Sequence, residues 1–388
     1  MILIDWSVKL IEMTPSLLTD RDRDHLRRAL ELAEGGRGRV SPNPLVGAVI
    51  VRDGEPIGEG RHEALGELHA EVAALADCRR RGGDPAGATL YLSLEPCAHQ
   101  GRQPPCTDAI LAAAISRVVI GSDDPSEKAS GRGPGILRDG GVEVEFADGA
   151  EAAAARLLNQ PFRKRARTGL PLVVHKAALS LDGFTATTAG DSRWISGARS
   201  RALVHRWRAE SDAVAIGIGT ALADDPLLTA RDVDVPPPRQ PARVVFDTDA
   251  RLPLESALVG SIEAAPLYVV TGAEAPAERV SALREAGADV LDVAGDPARR
   301  VVDALAELGR RQISSVLLEG GAELAGSFAA ANEVDELRLF IAPLVLRGGR
   351  PLAAGPGAER VTDAVRPLAV DWERSGEDML VRARLREW

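Results

Sequence analysis

Three side chains of metal-binding type, His69, Cys97 and Cys106, constrain this chain more than anything else in it, because they come from separate segments and must meet at one point. They stand in His69-Ala70-Glu71, Pro96-Cys97 and Pro105-Cys106. One imidazole and two thiolates give three ligands and leave the fourth tetrahedral position to water, which is how catalytic rather than structural zinc is held. Zinc lowers the pKa of bound water from about 15.7 to about 7 and makes hydroxide available at neutral pH. Glu71, two residues after His69 at the start of a predicted helix, is then the candidate to take the proton of that water and pass it to a leaving group. Cysteine with histidine favours zinc and leaves iron and cobalt open.

The chain has three cysteines. That count makes no disulfide framework and fits a reducing cytoplasm. A closed structural zinc would have to recruit Cys78 or His99, but Glu71 has no purpose in such a site. Cys78, on the helix face that continues from His69, reads as core. The order His-x-Glu followed by Pro-Cys and a second Cys is the signature of zinc-dependent nucleobase deaminases. The spacing is longer than the common Pro-Cys-x-x-Cys, since Ala98 to Pro105 separates the two cysteines.

With 388 residues the chain exceeds what one core usually serves, so two domains are expected. Hydrophobic residues at 45% and charged residues at 27% are globular values. A net charge of -10 argues against nonspecific nucleic-acid binding, so any phosphate must be held locally. No apolar run has the roughly 18 residues of a membrane helix, and Met1 to Ile4 is too short for a signal peptide. Neither nucleic acid nor membrane is an expected partner.

Residues 1–20 read as an extension, 21–165 as a first α/β domain and 166–388 as a second. Helical spacing covers Asp22 to Glu34, stopped by Gly35-Gly36, and Asp53-Gly54 marks a hairpin between Val46–Val51 and Glu55–Gly60. A helix from His69, a strand at Ala88 to Leu94, a helix at Cys106 to Ala114 and strands at Val118 and Val142 follow. The basic run Arg163, Lys164, Arg165 and Arg167 sets the boundary. Beyond it, strands are expected near Leu172, Asp212, Ala242, Pro266, Ser315 and Glu336, and helices at Ala198–Glu210, Glu278–Ala286, Pro297–Arg310 and Ala322–Ala331. This alternation is that of an α/β layer structure.

The second half carries Leu317-Leu318-Glu319-Gly320-Gly321-Ala322-Glu323-Leu324, a strand entering two glycines and then a helix. Glycines let backbone amides approach a phosphate, and the helix N-terminus adds positive charge. This is not the Gly-x-Gly-x-x-Gly fingerprint, and a Gly-Gly turn is also an ordinary turn.

Taken together, several motifs carry a family resemblance. They are Asn43-Pro44-x-Val46-Gly47, His69-Ala70-Glu71 and Glu95-Pro96-Cys97-Ala98-His99-x-Gly101-Arg102-x-Pro104-Pro105-Cys106 in the first half. In the second half they are Lys176 to Gly183, Ser192-Arg193-Trp194-Ile195 and Gly219 to Arg231. The chain resembles the bifunctional deaminase-reductase of riboflavin biosynthesis over about residues 22–388. One motif departs from the family: Asp124-Pro125-Ser126-Glu127 stands where Asp-Pro-Asn-Pro is usual.

The resemblance implies a cytidine-deaminase-like α/β/α domain followed by a dihydrofolate-reductase-like α/β domain. It implies one zinc per chain on His69, Cys97 and Cys106, with Glu71 as proton relay, and Asn43 at the pyrimidine of a small phosphorylated substrate. It further implies NADPH held by Ala178, Trp194, Thr220, Asp224 and the turn Gly321, Ala322, Glu323, Leu324, Ala325, Gly326 and Ser327. Substrate would lie on Ser192, Arg208, Leu228, Arg231 and Glu319. The expected activities are hydrolytic deamination of the diaminopyrimidinone and NADPH-dependent reduction of its ribosyl group to ribityl. The expected assembly is a homo-oligomer, a dimer through the reductase domain.

Overall fold

The computed structural model describes residues 18–100, 103–127, 129–234 and 236–388. The expected extension up to residue 17, and Gly101 and Arg102 of the inter-cysteine segment, lie outside them. The chain divides into two units, Met1–Gly36 with Leu45–Leu158, and Arg37–Pro44 with Asn159–Trp388.

The first unit runs α1 (Asp20–Glu34), β1 (Gly47–Arg52), β2 (Glu55–Arg61), α2 (Ala70–Arg80), β3 (Thr89–Leu92), α3 (Cys106–Ala112), β4 (Arg117–Ile120), α4 (Arg132–Asp139), β5 (Glu143–Phe146) and α5 (Gly149–Leu158). Its sheet has the order β2-β1-β3-β4-β5. β1 is antiparallel to β2 and β3, and β3, β4 and β5 are parallel. Alternation along β1 divides the core: Ala48 and Ile50 pack under α2, α3 and α4, while Val49 and Val51 pack under α1. The result is an α/β/α sandwich. Asp53 and Gly54, both at positive φ, make the tight β1–β2 turn that their sequence announces. A Cβ on Gly60 would stand 2.3 Å from the Ala74 nitrogen. This glycine lets α2 lie directly on β2 and so fixes where α2 begins.

Asp22 ties α1 to the sheet, accepting from Tyr91 Oη and Arg117 Nη1, each at 2.6 Å. Burial opposes its ionisation, but hydrogen bonds from Arg117, Thr19 and Tyr91 outweigh this and hold the carboxyl well below the usual aspartate range. A carboxyl lowered on folding stabilises in full above its unfolded value near 4 and loses that contribution as pH falls through the lower folded value. Urea midpoints of the first unit are therefore expected to fall with pH below about 4 in wild type. In Asp22→Asn they start lower and decline less steeply.

The second unit runs α6 (Gln160–Thr168), β6 (Leu172–Ser180), α7 (Ala198–Glu210), β7 (Ala213–Gly217), α8 (Ile218–Asp224), β8 (Ala242–Phe246), α9 (Ala257–Gly260), β9 (Leu267–Thr271), α10 (Ala277–Glu285), β10 (Asp289–Asp292), α11 (Pro297–Arg310), β11 (Ser315–Leu318), α12 (Ala322–Ala330), β12 (Glu336–Ala342), a 3-10 turn at Val361–Asp363, β13 (Ala369–Ser375) and β14 (Asp378–Arg384). The sheet order is β10-β9-β8-β7-β11-β6-β12-β14-β13. From β10 to β12 every pairing is parallel, and β14 and β13 close the edge antiparallel. Helices α11 and α12 cover one face. Residues of α8, α9 and α10 pack on the other. Val204 and Trp207 of α7 join a further cluster with Leu172 and Val174 of β6, Leu317, Phe340 and Leu380.

Several elements escape the sequence reading. Helix α6, not among the helices expected from sequence, carries the basic run that sets the boundary, and it groups with the second unit. Its Lys164 ammonium lies 2.8 Å from Glu333 and 2.7 Å from Asp335, partners far along the chain. The β13–β14 hairpin turns at Gly376, at positive φ, and carries charges on both strands, so no apolar alternation announces it. Among the described residues no helix is long and apolar enough to cross a membrane.

Candidate active sites

In the first unit, His69 is the N-cap of α2 and Cys106 opens α3 behind Pro105, while Cys97 lies in the loop after β3. Two helix starts and one loop thus converge beside the sheet. His69 Nδ1 is 3.3 Å from Cys106 Sγ and 3.6 Å from Cys97 Sγ, and the three donor atoms lie within 4.8 Å of one another. Ligands placed 2.0–2.3 Å from a shared tetrahedral centre would be about 3.5 Å apart, so the donor set fits zinc. The Cys106 backbone N–H also donates to Cys97 Sγ, at 3.4 Å. The hydrogen bond from the Cys106 thiol pulls the Cys97 thiol down to about 4, against burial and with help from His69. The same contact pushes Cys106 up.

Glu71 is only 3% exposed and lies in the first turn of α2. Burial, followed by the charge of Cys97, pushes its carboxyl up. A carboxyl so placed exchanges a proton more readily near neutrality than a surface carboxylate does. Asn43 sits in the turn Arg37–Pro44, which groups with the second unit. Sequence reasoning missed Glu95, a buried carboxylate that accepts from Gly131 N at 2.8 Å and from Asp124 N at 3.3 Å. It braces the loop in which Ser126 and Glu127 depart from the family motif. Its position two residues before Cys97 was the available signal.

In the second unit, Glu319 follows β11 and receives a two-pronged contact from Arg208 of α7, Nε to Oε1 at 2.6 Å and Nη2 to Oε2 at 2.9 Å. Lys176 of β6 approaches the same carboxylate at 3.5 Å. Burial alone would raise Glu319, but the charges of Lys176 and Arg208 prevail and hold it down at about 2. The structure therefore joins Arg208 and Glu319, and adds Lys176, to which the sequence assigned no role. Arg208 Nη1 also donates to the Thr229 carbonyl, at 3.3 Å. His205, one turn earlier on α7, lies 3.2 Å from that carbonyl and 3.3 Å from Arg231 N. These contacts pin the loop carrying Leu228, a buried leucine at positive φ, and the exposed Arg231. Such strain in a non-glycine residue persists only where surroundings enforce it. Sequence reasoning missed His205, although its i, i+3 relation to Arg208 was a usable signal.

Gly321 is the N-cap of α12, and Ala322, Glu323, Leu324, Ala325, Gly326 and Ser327 form its first turns. The nearest atom to a Cβ built on Gly321 is Thr220 Oγ1, at 3.9 Å, so Thr220 and the glycine turn border one open space. The free amides at this helix start suit a pyrophosphate. Gly326 has another duty: a Cβ there would come 1.8 Å from the Ala354 carbonyl oxygen. Asp224 ends α8 paired with Arg193 at 2.9 Å. Trp194 is 71% exposed with the Arg201 guanidinium 4.6 Å from its ring centre. Ser192 is exposed nearby in sequence, and Ala178 lies toward the C-terminal end of β6.

Comparison with known proteins decides the family. The model described as the RibD C-terminal domain matches residues 171–381, and that of the cytidine and deoxycytidylate deaminase zinc-binding region matches residues 19–122. Riboflavin biosynthesis protein RibD of Actinobacillus pleuropneumoniae is 39% identical over 94% of this chain and 96% of its own length. The chain belongs to the RibD family. RibD of Escherichia coli strain K12 is also 39% identical, over 89% of this chain and 94% of the relative. Among solved structures, Acinetobacter baumannii RibD superposes with a TM-score of 0.83 at 36% identity, covering 95% of this chain and 99% of that one. A Thermotoga maritima deaminase/reductase superposes at 0.81 and 35% identity, covering 94% and 99%. As a RibD protein the chain is a bifunctional deaminase and reductase of riboflavin biosynthesis. Its deaminase domain binds zinc, its reductase domain uses NADPH, and its substrate is a small phosphorylated pyrimidine.

Proposed function

We propose that the first domain, within residues 21–165, deaminates diaminohydroxyphosphoribosylaminopyrimidine, and that the second, within 166–388, reduces the resulting 5-amino-6-(5-phosphoribosylamino)uracil with NADPH to the ribityl compound. These are the two activities in the name of the Thermotoga maritima protein. The observation that carries the reading is a buried carboxyl, Glu71, on the same helix turn as one member of a His-Cys-Cys donor set.

His69, Cys97 and Cys106 would hold the zinc, which supplies Lewis acidity to activate a water. Glu71 takes a proton from the attacking water and delivers it to the departing amine, while Asn43 contacts the pyrimidine. In the reductase, Gly321 to Ser327, Thr220, Asp224, Ala178 and Trp194 hold NADPH, which supplies the hydride. Arg208 and Arg231 offer planar donors to the substrate phosphate, Glu319 fixes the direction of Arg208, and Ser192 and Leu228 complete the substrate surface. The reading includes a cytoplasmic homodimer joined through the reductase domain.

The test is a coupled assay with the diaminopyrimidine phosphate, following ammonia release and NADPH absorbance. Wild type is expected to release ammonia and then oxidise NADPH. Zinc removal by a chelator should stop ammonia release and spare NADPH oxidation on deaminated substrate, with activity restored by added zinc. Metal-replete protein that releases no ammonia would overturn the reading.

A further inference from the structure

NADPH differs from NADH by one phosphate ester, on the adenosine ribose. On a chain of net charge -10 that group needs a dedicated local cation. We propose that Arg279 and Arg300, at the rim where β8 and β9 end, hold the adenosine 2′-phosphate and make this reductase prefer NADPH. The proposal rests on the cofactor reading above.

Position comes first. Ligands of open α/β sheets lie over the C-terminal ends of the strands, and β11, β7, β8 and β9 are consecutive parallel neighbours in the sheet. The Gly320-Gly321 turn follows β11. At about 4.8 Å per strand, the end of β8 stands about 10 Å to one side of it. A cofactor with its pyrophosphate on the glycine turn and its nicotinamide toward Glu319 directs its adenosine to this side.

The rim there has a distinct construction. Thr248 follows β8 and is exposed, and Gly272 follows β9 and donates its N–H to the Thr248 carbonyl at 2.9 Å. A Cβ on Gly272 would lie 3.0 Å from Thr248 Cγ2 and 3.5 Å from Arg300 Nη1. Arg300 reaches this turn from α11, with Nη1 donating to the Gly295 carbonyl at 3.0 Å. Arg279 of α10 donates through Nη1 to the Asp249 carbonyl at 3.4 Å. Each guanidinium is thus steadied by one backbone oxygen through one nitrogen, and its remaining donors are left for a ligand.

Two guanidinium groups at this rim, those of Arg279 and Arg300, have no carboxylate within ion-pair distance among the described residues. Of the neighbouring carboxylates Asp249, Asp292 and Asp296 have other partners, and Asp247 keeps one buried oxygen without a hydrogen bond. Asp247 accepts from Leu252 N at 2.8 Å, and Asp249 lies 3.8 Å from Arg251. Asp292 accepts from Thr271 at 2.6 Å and Arg284 at 2.7 Å, and Asp296 caps α11 through Arg299 N at 2.9 Å. Two forked donors from different helices, flanking a hydroxyl and a residue without a side chain, match a phosphate monoester.

The test is a titration of zinc-replete full-length protein with NADPH and NADH by nicotinamide fluorescence, and with 2′,5′-ADP and 5′-ADP by calorimetry. Wild type is expected to bind NADPH over NADH and 2′,5′-ADP over 5′-ADP. Arg300→Ala and Arg279→Ala should each weaken NADPH and 2′,5′-ADP by about 10- to 100-fold and leave NADH and 5′-ADP within about 2-fold. Retained NADH and 5′-ADP affinity in the same samples reports that the second unit is folded. Unchanged NADPH affinity in both variants, or an equal loss for NADPH and NADH, would overturn the 2′-phosphate assignment. Wild type that binds neither NADPH nor 2′,5′-ADP would instead remove the cofactor reading beneath it.

Discussion

Glu71→Gln is expected to slow ammonia release by about 10²- to 10⁴-fold, the usual worth of a positioned general acid-base group. It should leave NADPH oxidation on deaminated substrate unchanged. Glutamine keeps the size and polarity of the side chain but can neither accept nor return a proton. Glu71 is not a member of the donor set His69, Cys97 and Cys106, so the variant should retain its zinc. Metal analysis and two separate rate measurements on one preparation therefore discriminate the possibilities. Loss of metal together with activity would mean that Glu71 holds the site together. Full ammonia release with metal retained would show that some other group moves the proton.

The zinc site was legible because its chemistry is local. Each ligand sits beside its own structural signal: His69 at a helix start, Cys97 and Cys106 each behind a proline. The tight β1–β2 turn was legible for the same reason, since Asp53 and Gly54 together specify a backbone that few other pairs adopt. In the reductase, the Gly320-Gly321 turn gave the helix start but not what lies across from it. That Thr220 borders the same space depends on β7 and β11 being neighbours, a fact of sheet order alone. His205, Lys176 and Glu95 were missed because a histidine, lysine or glutamate acquires its role from partners brought near by folding.

Helix α6 makes the limit concrete. Arg163, Lys164, Arg165 and Arg167 read locally only as a basic run at a domain boundary, yet Lys164 and Arg163 are among the most deeply buried large side chains described. What reverses the reading is Glu333 and Asp335, which become visible only once β12 is placed beside β6. Charge runs are ambiguous in sequence because burial of a cation depends wholly on whether a carboxylate waits for it.

The energetic consequence can be measured. Lys164 and Asp335 are each 1% exposed in their side chains, and Asp335 also accepts from Val173 N at 2.8 Å and Trp388 Nε1 at 3.0 Å. Lys164→Met keeps a long apolar stem but takes the nearer cation from the buried Asp335 carboxylate and leaves it only the Arg386 guanidinium, 3.8 Å away. Breaking a buried pair from one side costs about 3–5 kcal/mol, because the remaining charge is uncompensated. At about 2–4 °C per kcal/mol for a unit of this size, the reductase transition in calorimetry should fall by about 10 °C. NADPH identifies that transition, since a ligand at a hundred times its Kd raises stability by about 2.7 kcal/mol. The double variant Lys164→Met/Asp335→Asn removes the orphaned charge and keeps one acceptor oxygen, for Val173 N or Trp388 Nε1 but not both, so it should recover part of the loss. Glu333, at the more exposed end of the contact, can turn toward water in both variants. A single variant that melts within about 2 °C of wild type would mean that Asp335 is already balanced by Arg386 and by its backbone and indole donors, and that the lysine is dispensable. A double variant no better than the single would place the cost in lost packing of the lysine stem rather than in charge.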